Sequence, residues 1–178
     1  MQCPLITIPN GIDTDSLPSP LGEHDKAYDI LIAGLKQPKL TNKLREALES
    51  TGKIIKSLTS NLLRDDYLNE INNAKITIFL PDEQEGFYLP ALEGMALGTL
   101  VICPDCVGNR SFCLHKQNCF RPQYRFEDLI NSVYGAFSIA PENKHAMLTN
   151  ARRTVSVHDL MKERNTFLKL LNDIDELW

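Results

Sequence analysis

The sequence predicts an α/β fold, a single Rossmann-like domain in which helices flank a parallel sheet. Segments rich in β-branched and aliphatic residues alternate with segments of helical period, which is the pattern of strands joined by crossover helices. The length of 178 residues fits one domain. A hydrophobic fraction of 43% and a charged fraction of 24% are typical of a globular protein with a sizeable core.

The order of elements follows from apolar periodicity and from the residues that interrupt it. Strands are predicted at 28–34 (YDILIAG), 53–58 (KIIKSL), 75–80 (KITIFL) and 100–103 (LVIC). Helices are predicted at about 41–50, 64–74, 90–97, 126–138, 141–154 and 157–178. Pro81 ends the third strand because it cannot donate to a sheet ladder, and Pro90 suits the start of the helix that Gly98 terminates.

The two ends of the chain differ from the middle. Four prolines and two glycines make residues 1–25 an extended lead-in to a domain over 26–178. The closing helix carries a strong apolar stripe, which we expect to be mostly core with some surface left for a partner. One more short strand is expected at 118–121.

Composition excludes several classes of function. The net charge is −4 and the basic residues are dispersed, so nucleic acid is not an expected partner. No apolar run approaches the roughly 20 residues of a membrane span, and the N-terminus does not read as a signal peptide. We therefore expect a cytoplasmic protein without a transmembrane segment, whose five cysteines are reduced thiols.

Two glutamates, Glu85 and Glu93, bracket the stretch EGFYLPALE, one in the loop after the third strand and one about a turn into the next helix. Open α/β sheets bind ligands at the carboxyl ends of their strands, where a helix N-terminus offers free N–H groups to a diphosphate. The amides of residues 86–89 are the candidate donors. Glu93 is placed to accept two hydrogen bonds from adjacent hydroxyls such as those of a ribose. Spacing alone also fits ordinary solvated charges.

The longer stretch EGFYLPALEGMALGTLVICPDCVGN, from Glu85, resembles the donor-site motif of retaining GT-B-fold glycosyltransferases (group 1, family 4-like). A second stretch, IPNGID at 8–13, resembles the segment that opens the C-terminal, nucleotide-sugar-binding domain of that family. Both occur in the family's order. The resemblance implies a GT-B C-terminal domain that binds a nucleoside-diphosphate sugar for transfer to an unknown acceptor glycan, lipid or protein.

The resemblance also implies roles for individual residues. Glu93 would bind the ribose hydroxyls and Glu85 would lie beside the sugar ring. The remaining donor-binding residues would be Gly34, Gly86, Phe87, Tyr88 and Leu89. The family uses an Arg after the first strand's glycine and a nearby Lys to offset leaving-group charge, so neither metal nor cofactor is expected. Leu35 occupies the Arg position, which leaves Lys36 and Lys39 as the catalytic cations. The acceptor site would belong to a separate domain or to another copy of the chain.

Two other interpretations of the function are compatible with the sequence. A non-catalytic interaction module could keep the same fold, with part of the last helix as its contact surface. The cysteine-rich stretch could instead bind zinc, because thiolates and an imidazole lie close together there: Cys103, Cys106, Cys113, His115 and Cys119. A thioredoxin-like role for CPDC is weaker because no long helix follows it. All four histidines are expected to be surface residues.

Overall fold

The computed structural model describes residues 6–173 and has the predicted α/β class. Four parallel strands form one sheet in the order β2-β1-β3-β4. Their bounds are Tyr28–Ala33 (β1), Ile55–Leu58 (β2), Ala74–Phe79 (β3) and Leu100–Ile102 (β4). The order places β1 and β3 in the centre, where their neighbours pair with them on both edges.

The described residues form six α-helices around this sheet. They are α1 (Pro38–Leu48), α2 (Arg64–Asn72), α3 (Leu89–Ala96), α4 (Phe126–Phe137), α5 (Pro141–Val157) and α6 (Leu160–Asn172). The helix predicted at 41–50 begins at Pro38, because a proline at the first helical position costs no hydrogen bond. The predicted strand at 118–121 is reduced to two isolated bridges, one between Phe120 and Ile102 and one between Cys119 and His115.

The core lies on both faces of the sheet, which explains why β1 and β3 are nearly continuous apolar runs. On one face, Ile30 and Ile78 pack in a buried cluster with residues of α1 and α4. On the other face, Leu31 and Phe79 pack with residues of α2, α3 and α5. Together the two clusters fix the sheet and therefore the loops at its carboxyl end.

The last two helices differ from the prediction in their boundary and in their burial. α5 ends at Val157, and Asp159 begins α6 as an N-cap whose carboxylate accepts from the amides of Met161 and Lys162, at 2.9 and 3.1 Å. No residue of α6 is buried, so the expectation that its apolar stripe is mostly core is wrong. Its exposed large apolar side chains are Leu160, Met161, Phe167, Leu168 and Leu171. Residues 174–178 of the predicted closing helix lie outside the described part.

The segment before β1 contacts the junction of α5 and α6. Ile12 is buried and forms a parallel bridge with Asp159. The Gly11 amide donates to Glu163 Oε2 at 2.6 Å. Apart from this bridge and a short 3-10 turn at Glu23–Asp25, the segment from residue 6 to β1 has no regular structure.

Candidate functional site

A cavity of about 560 Å³ lies at the carboxyl ends of β1 and β3, beside the N-terminus of α3. It includes six of the residues that the sequence proposed: Lys36, Glu85, Phe87, Tyr88, Leu89 and Glu93. The other lining residues are Ala33, Leu35, Asn61, Leu62, Arg64, Tyr67, Leu80 and Pro90. The fold therefore brings both glutamates into one cavity.

Glu93 lies about one turn into α3 and is almost fully buried, with 4% of its side chain exposed. Its carboxylate forms an ion pair with Arg64, whose Nη2 lies 2.8 Å from Glu93 Oε1. Arg64 is the first residue of α2, and its side chain is 59% exposed. Arg64 was not among the predicted site residues, because nothing in the local sequence links it to a carboxylate 29 positions further along the chain.

Glu85 forms the second ion pair of the cavity, with Lys36. The Lys36 ammonium also lies 3.8 Å from Asp82. The hydrogen bond that Lys36 donates to Glu85 raises the pKa of the lysine, so it remains charged. The other catalytic candidate, Lys39, is exposed on the first turn of α1 and is not among the lining residues.

Gly34 directly follows β1 and begins the turn that places Leu35 and Lys36 in the cavity lining. A Cβ at this position would lie 1.8 Å from Thr41 Oγ1 and 3.0 Å from Leu80 Cδ1. Gly34 does not itself line the cavity, so its role in the structure is the close approach of the turn to α1.

The amides of residues 86–89 were all predicted to be available as donors to a ligand. In the structure, one of them is not. The Tyr88 N–H donates to the Gly108 carbonyl at 3.0 Å, so it cannot donate to a ligand. Within the described residues, the amides of Gly86, Phe87 and Leu89 have no protein acceptor. Gly86 has open space where a Cβ would project, which leaves its backbone accessible from the solvent side.

Gly108 packs against the backbone of the loop that carries Glu85 and Phe87. A Cβ at Gly108 would lie 2.6 Å from the Glu85 carbonyl oxygen and 2.8 Å from the Phe87 nitrogen. The neighbouring Val107 N–H donates to the Glu83 carbonyl at 3.2 Å. The segment after β4 is thus in direct contact with the loop that carries Glu85.

Two aromatic side chains of the motif are anchored in the core. Tyr88 is buried, and its ring meets Phe79 edge-on at 6.2 Å. Burial raises its pKa well above the usual range, so its hydroxyl is neutral. Phe87 lies against Phe112 and His158, at ring distances of 5.2 and 5.7 Å. His158 is therefore a buried residue and not the expected surface one. His24, His115 and His145 are exposed.

The four described cysteines (Cys103, Cys106, Cys113 and Cys119) are free and buried, and Cys3 lies outside the described residues. The Cys113 thiol contacts the thiols of Cys103 and Cys119, and these contacts with burial raise its pKa. Burial raises the pKa of Cys106 to about 11, which disfavours the thiolate that metal binding and disulfide exchange need. In residues 6–173, no three His, Cys, Asp or Glu side chains are grouped so that they could hold a metal.

An open parallel sheet with a charged cavity at its carboxyl end places the chain in the class of Rossmann-like α/β domains. No helix among the described residues is long and apolar enough to cross a membrane.

Comparison with solved structures narrows this class. A glycosyltransferase from Rickettsia africae ESF-5 matches with a TM-score of 0.70 and 17% identity, over 95% of this chain and 57% of its own. HepE from Anabaena, in complex with UDP and glucose, matches with a TM-score of 0.71 and 13% identity, over 93% and 56%. The C-terminal domain of a group 1 glycosyl transferase from Francisella tularensis matches with a TM-score of 0.61 and 15% identity, over 82% and 97%.

The chain has the fold of the C-terminal domain of GT-B glycosyltransferases. It spans little more than half the length of the Rickettsia and Anabaena proteins. No protein-family profile and no curated protein sequence matches it.

Proposed function

We propose that the chain is the donor-binding domain of a retaining glycosyltransferase, and that its cavity binds a nucleoside-diphosphate sugar. The observation that carries the proposal is the presence of Glu85 and Glu93 in one cavity at the carboxyl end of the sheet. Support comes from the motif around them and from the shared fold, which HepE uses in its complex with UDP and glucose.

Glu93 is the proposed ribose site. An ionised carboxylate has about four lone-pair positions, and the single contact from Arg64 to Oε1 leaves the others free. Two adjacent ribose hydroxyls can therefore donate to Glu93 while Arg64 stays in place. In this arrangement Arg64 is a positioning residue that orients the buried carboxylate.

Lys36 is the proposed cation for the departing diphosphate, in place of a metal ion. Leu35 supplies no charge, and Lys39 lies outside the cavity lining. Because Lys36 contacts Glu85, a diphosphate must take over its ammonium when it binds. The N-terminus of α3 and the amides of Phe87 and Leu89 add positive potential on the same side.

The acceptor site is proposed to come from another domain or chain, because this chain spans 57% of the matching Rickettsia protein. The apolar side of α6 is the candidate contact surface, with Phe167 and Leu168 about half exposed.

Thermal unfolding with UDP, GDP and ADP and their sugar conjugates tests donor binding. A ligand at one hundred times its dissociation constant stabilises the folded state by roughly 2.7 kcal/mol, or about 5–10 °C for a chain of this size. Glu93→Gln should abolish the shift, whereas the exposed Glu142→Gln on α5 should retain it. No shift with any nucleotide, or equal loss in both variants, contradicts the proposal.

The ribose assignment has its own test. The 2′-deoxy form of whichever nucleotide binds lacks one hydroxyl that Glu93 would accept. It should bind at least tenfold more weakly to the wild-type chain, since a hydrogen bond to a charged group contributes about 1.5–3 kcal/mol. In Glu93→Gln the two nucleotides should bind with similar affinity. An undiminished preference for the ribonucleotide in that variant would place the ribose elsewhere.

A further inference from the structure

A second cavity, of about 500 Å³, lies at the opposite end of the sheet. Lys26 precedes β1, Lys75 lies at the start of β3 and Gly98 precedes β4, so this amino-end cavity sits where the strands begin. The other lining residues are Pro20, Leu21, Gly22, Glu23, Lys144, Leu148 and Arg152. The six residues of β1 separate it from the donor cavity by about 20 Å.

Positive charge predominates around the amino-end cavity, although the chain as a whole has a net charge of −4. Four lining side chains are cationic and only Glu23 is acidic. Lys75 is neutralised by Asp29 at 2.9 Å, and Lys144 contacts Glu23. Among the described residues, Lys26 and Arg152 have no carboxylate partner. Neither of these two positive charges is therefore held in a direct ion pair.

Lys26 is the buried member of this group, with 7% of the residue exposed. Its Nζ donates to the carbonyl oxygens of Asn72 at 2.8 Å and Leu97 at 3.3 Å, which lie at the ends of α2 and α3. An ammonium has three N–H donors, and the third has no acceptor among the described residues. Because Lys26 lines the cavity, this third N–H can donate to a ligand there.

The charges around Lys26 also favour the binding of an anion in this cavity. Burial lowers its pKa to about 8, the nearby Glu23 raises it, and Lys144 lowers it further. An additional negative charge in the cavity would therefore stabilise the protonated lysine. Glu23 supplies only part of this charge, because it contacts Lys144 and its side chain is 53% exposed.

We propose that the amino-end cavity binds a small molecule through a phosphate or sulfate group, held by Lys26, Lys144 and Arg152. A tetrahedral oxyanion can accept from the free N–H of Lys26, from the Lys144 ammonium and from two N–H groups of the Arg152 guanidinium. Glu23 belongs to a three-residue 3-10 turn and leaves Lys144 when the anion binds. This site is independent of the donor cavity and of its proposed function.

Calorimetric titration with inorganic phosphate and pyrophosphate, at constant ionic strength, tests the proposal. Arg152→Gln should weaken binding about tenfold or more, because it removes a charge-assisted contact. The neighbouring Arg153→Gln is the matched control: it removes the same charge from an exposed residue that does not line the cavity, and should leave affinity within about twofold. Glu23→Gln should strengthen binding because it removes the internal competitor. Equal losses at Arg152 and Arg153, or no gain at Glu23, overturn the proposal.

Pyrophosphate could also enter the donor cavity, so the two sites need separation. Lys36→Gln removes a cation of the donor cavity alone and should leave the Arg152-dependent binding unchanged. Lysine-selective ¹³C NMR gives a direct reading, because a bound anion should raise the pKa of Lys26 above its value of about 8. An unchanged Lys26 pKa at saturating phosphate would show that the anion binds elsewhere.

Discussion

Replacing Gly34 with alanine should strain the turn that positions Leu35 and Lys36. The added Cβ would lie 1.8 Å from Thr41 Oγ1 and 3.0 Å from Leu80 Cδ1, and both neighbours are buried. Thr41 cannot simply turn its hydroxyl away, since Oγ1 donates to the Gln37 carbonyl at 2.9 Å. Overpacking of this kind costs about 1–3 kcal/mol, which would lower the unfolding midpoint by roughly 2–12 °C.

Substitutions at Thr41, whose Oγ1 would lie 1.8 Å from the new Cβ, provide the control for Gly34→Ala. Thr41→Ala removes the clashing oxygen and costs about 1 kcal/mol through the lost hydrogen bond. Combined with Gly34→Ala, it should restore most of the stability that Gly34→Ala loses. Thr41→Ser keeps the oxygen and should restore little. Urea unfolding followed by circular dichroism measures all four variants. If the effects of Gly34→Ala and Thr41→Ala simply add, within about 0.5 kcal/mol, the steric reasoning is wrong.

Three further predictions concern stability and charge. Gly135→Ala should raise the thermal unfolding midpoint by about 2–4 °C, because alanine has the higher helix propensity. Gly94→Ala should not raise it, because the added Cβ would lie 2.7 Å from the buried ring of Phe79. Equal gains for the two variants in calorimetry would contradict this. The Lys26 pKa of about 8 is below its unfolded value near 10.4, so the unfolded chain binds more protons between these pH values. The wild type should therefore gain about 2 kcal/mol over Lys26→Met as pH rises from 8 to 10, and a pH-independent difference in urea unfolding would refute it. Lys36→Gln should change stability by less than about 1 kcal/mol, because the Lys36 side chain is 55% exposed, but should weaken UDP, GDP or ADP binding in titrations. Unchanged nucleotide affinity would remove Lys36 from the proposed site.

The strands were predictable because each is a short apolar run bounded by residues that interrupt a sheet. The predicted 28–34 and 75–80 correspond to Tyr28–Ala33 and Ala74–Phe79. The last helix shows the limit of the same reasoning. An apolar stripe identifies one side of a helix but does not say whether anything covers it, and α6 has no buried residue.

The candidate site was partly predictable. The motif placed Glu85 and Glu93 on either side of a helix N-terminus, and the structure brings them into one cavity. The partner of Glu93 was not predictable, because the contact with Arg64 depends on how α2 and α3 lie side by side. The bond from the Tyr88 amide to Gly108 depends in the same way on a segment twenty residues away.

The contact of Gly108 with the Glu85 loop affects how genetic data on this protein should be interpreted. A side chain added at Gly108 would push against the Glu85 carbonyl and the Phe87 nitrogen from the protein interior. Such a variant would weaken the proposed nucleotide binding although Gly108 does not line the cavity. Inactivating substitutions at 107–109 would therefore act by displacing the loop that carries Glu85. Only substitutions at residues that line the cavity would identify contacts with a ligand.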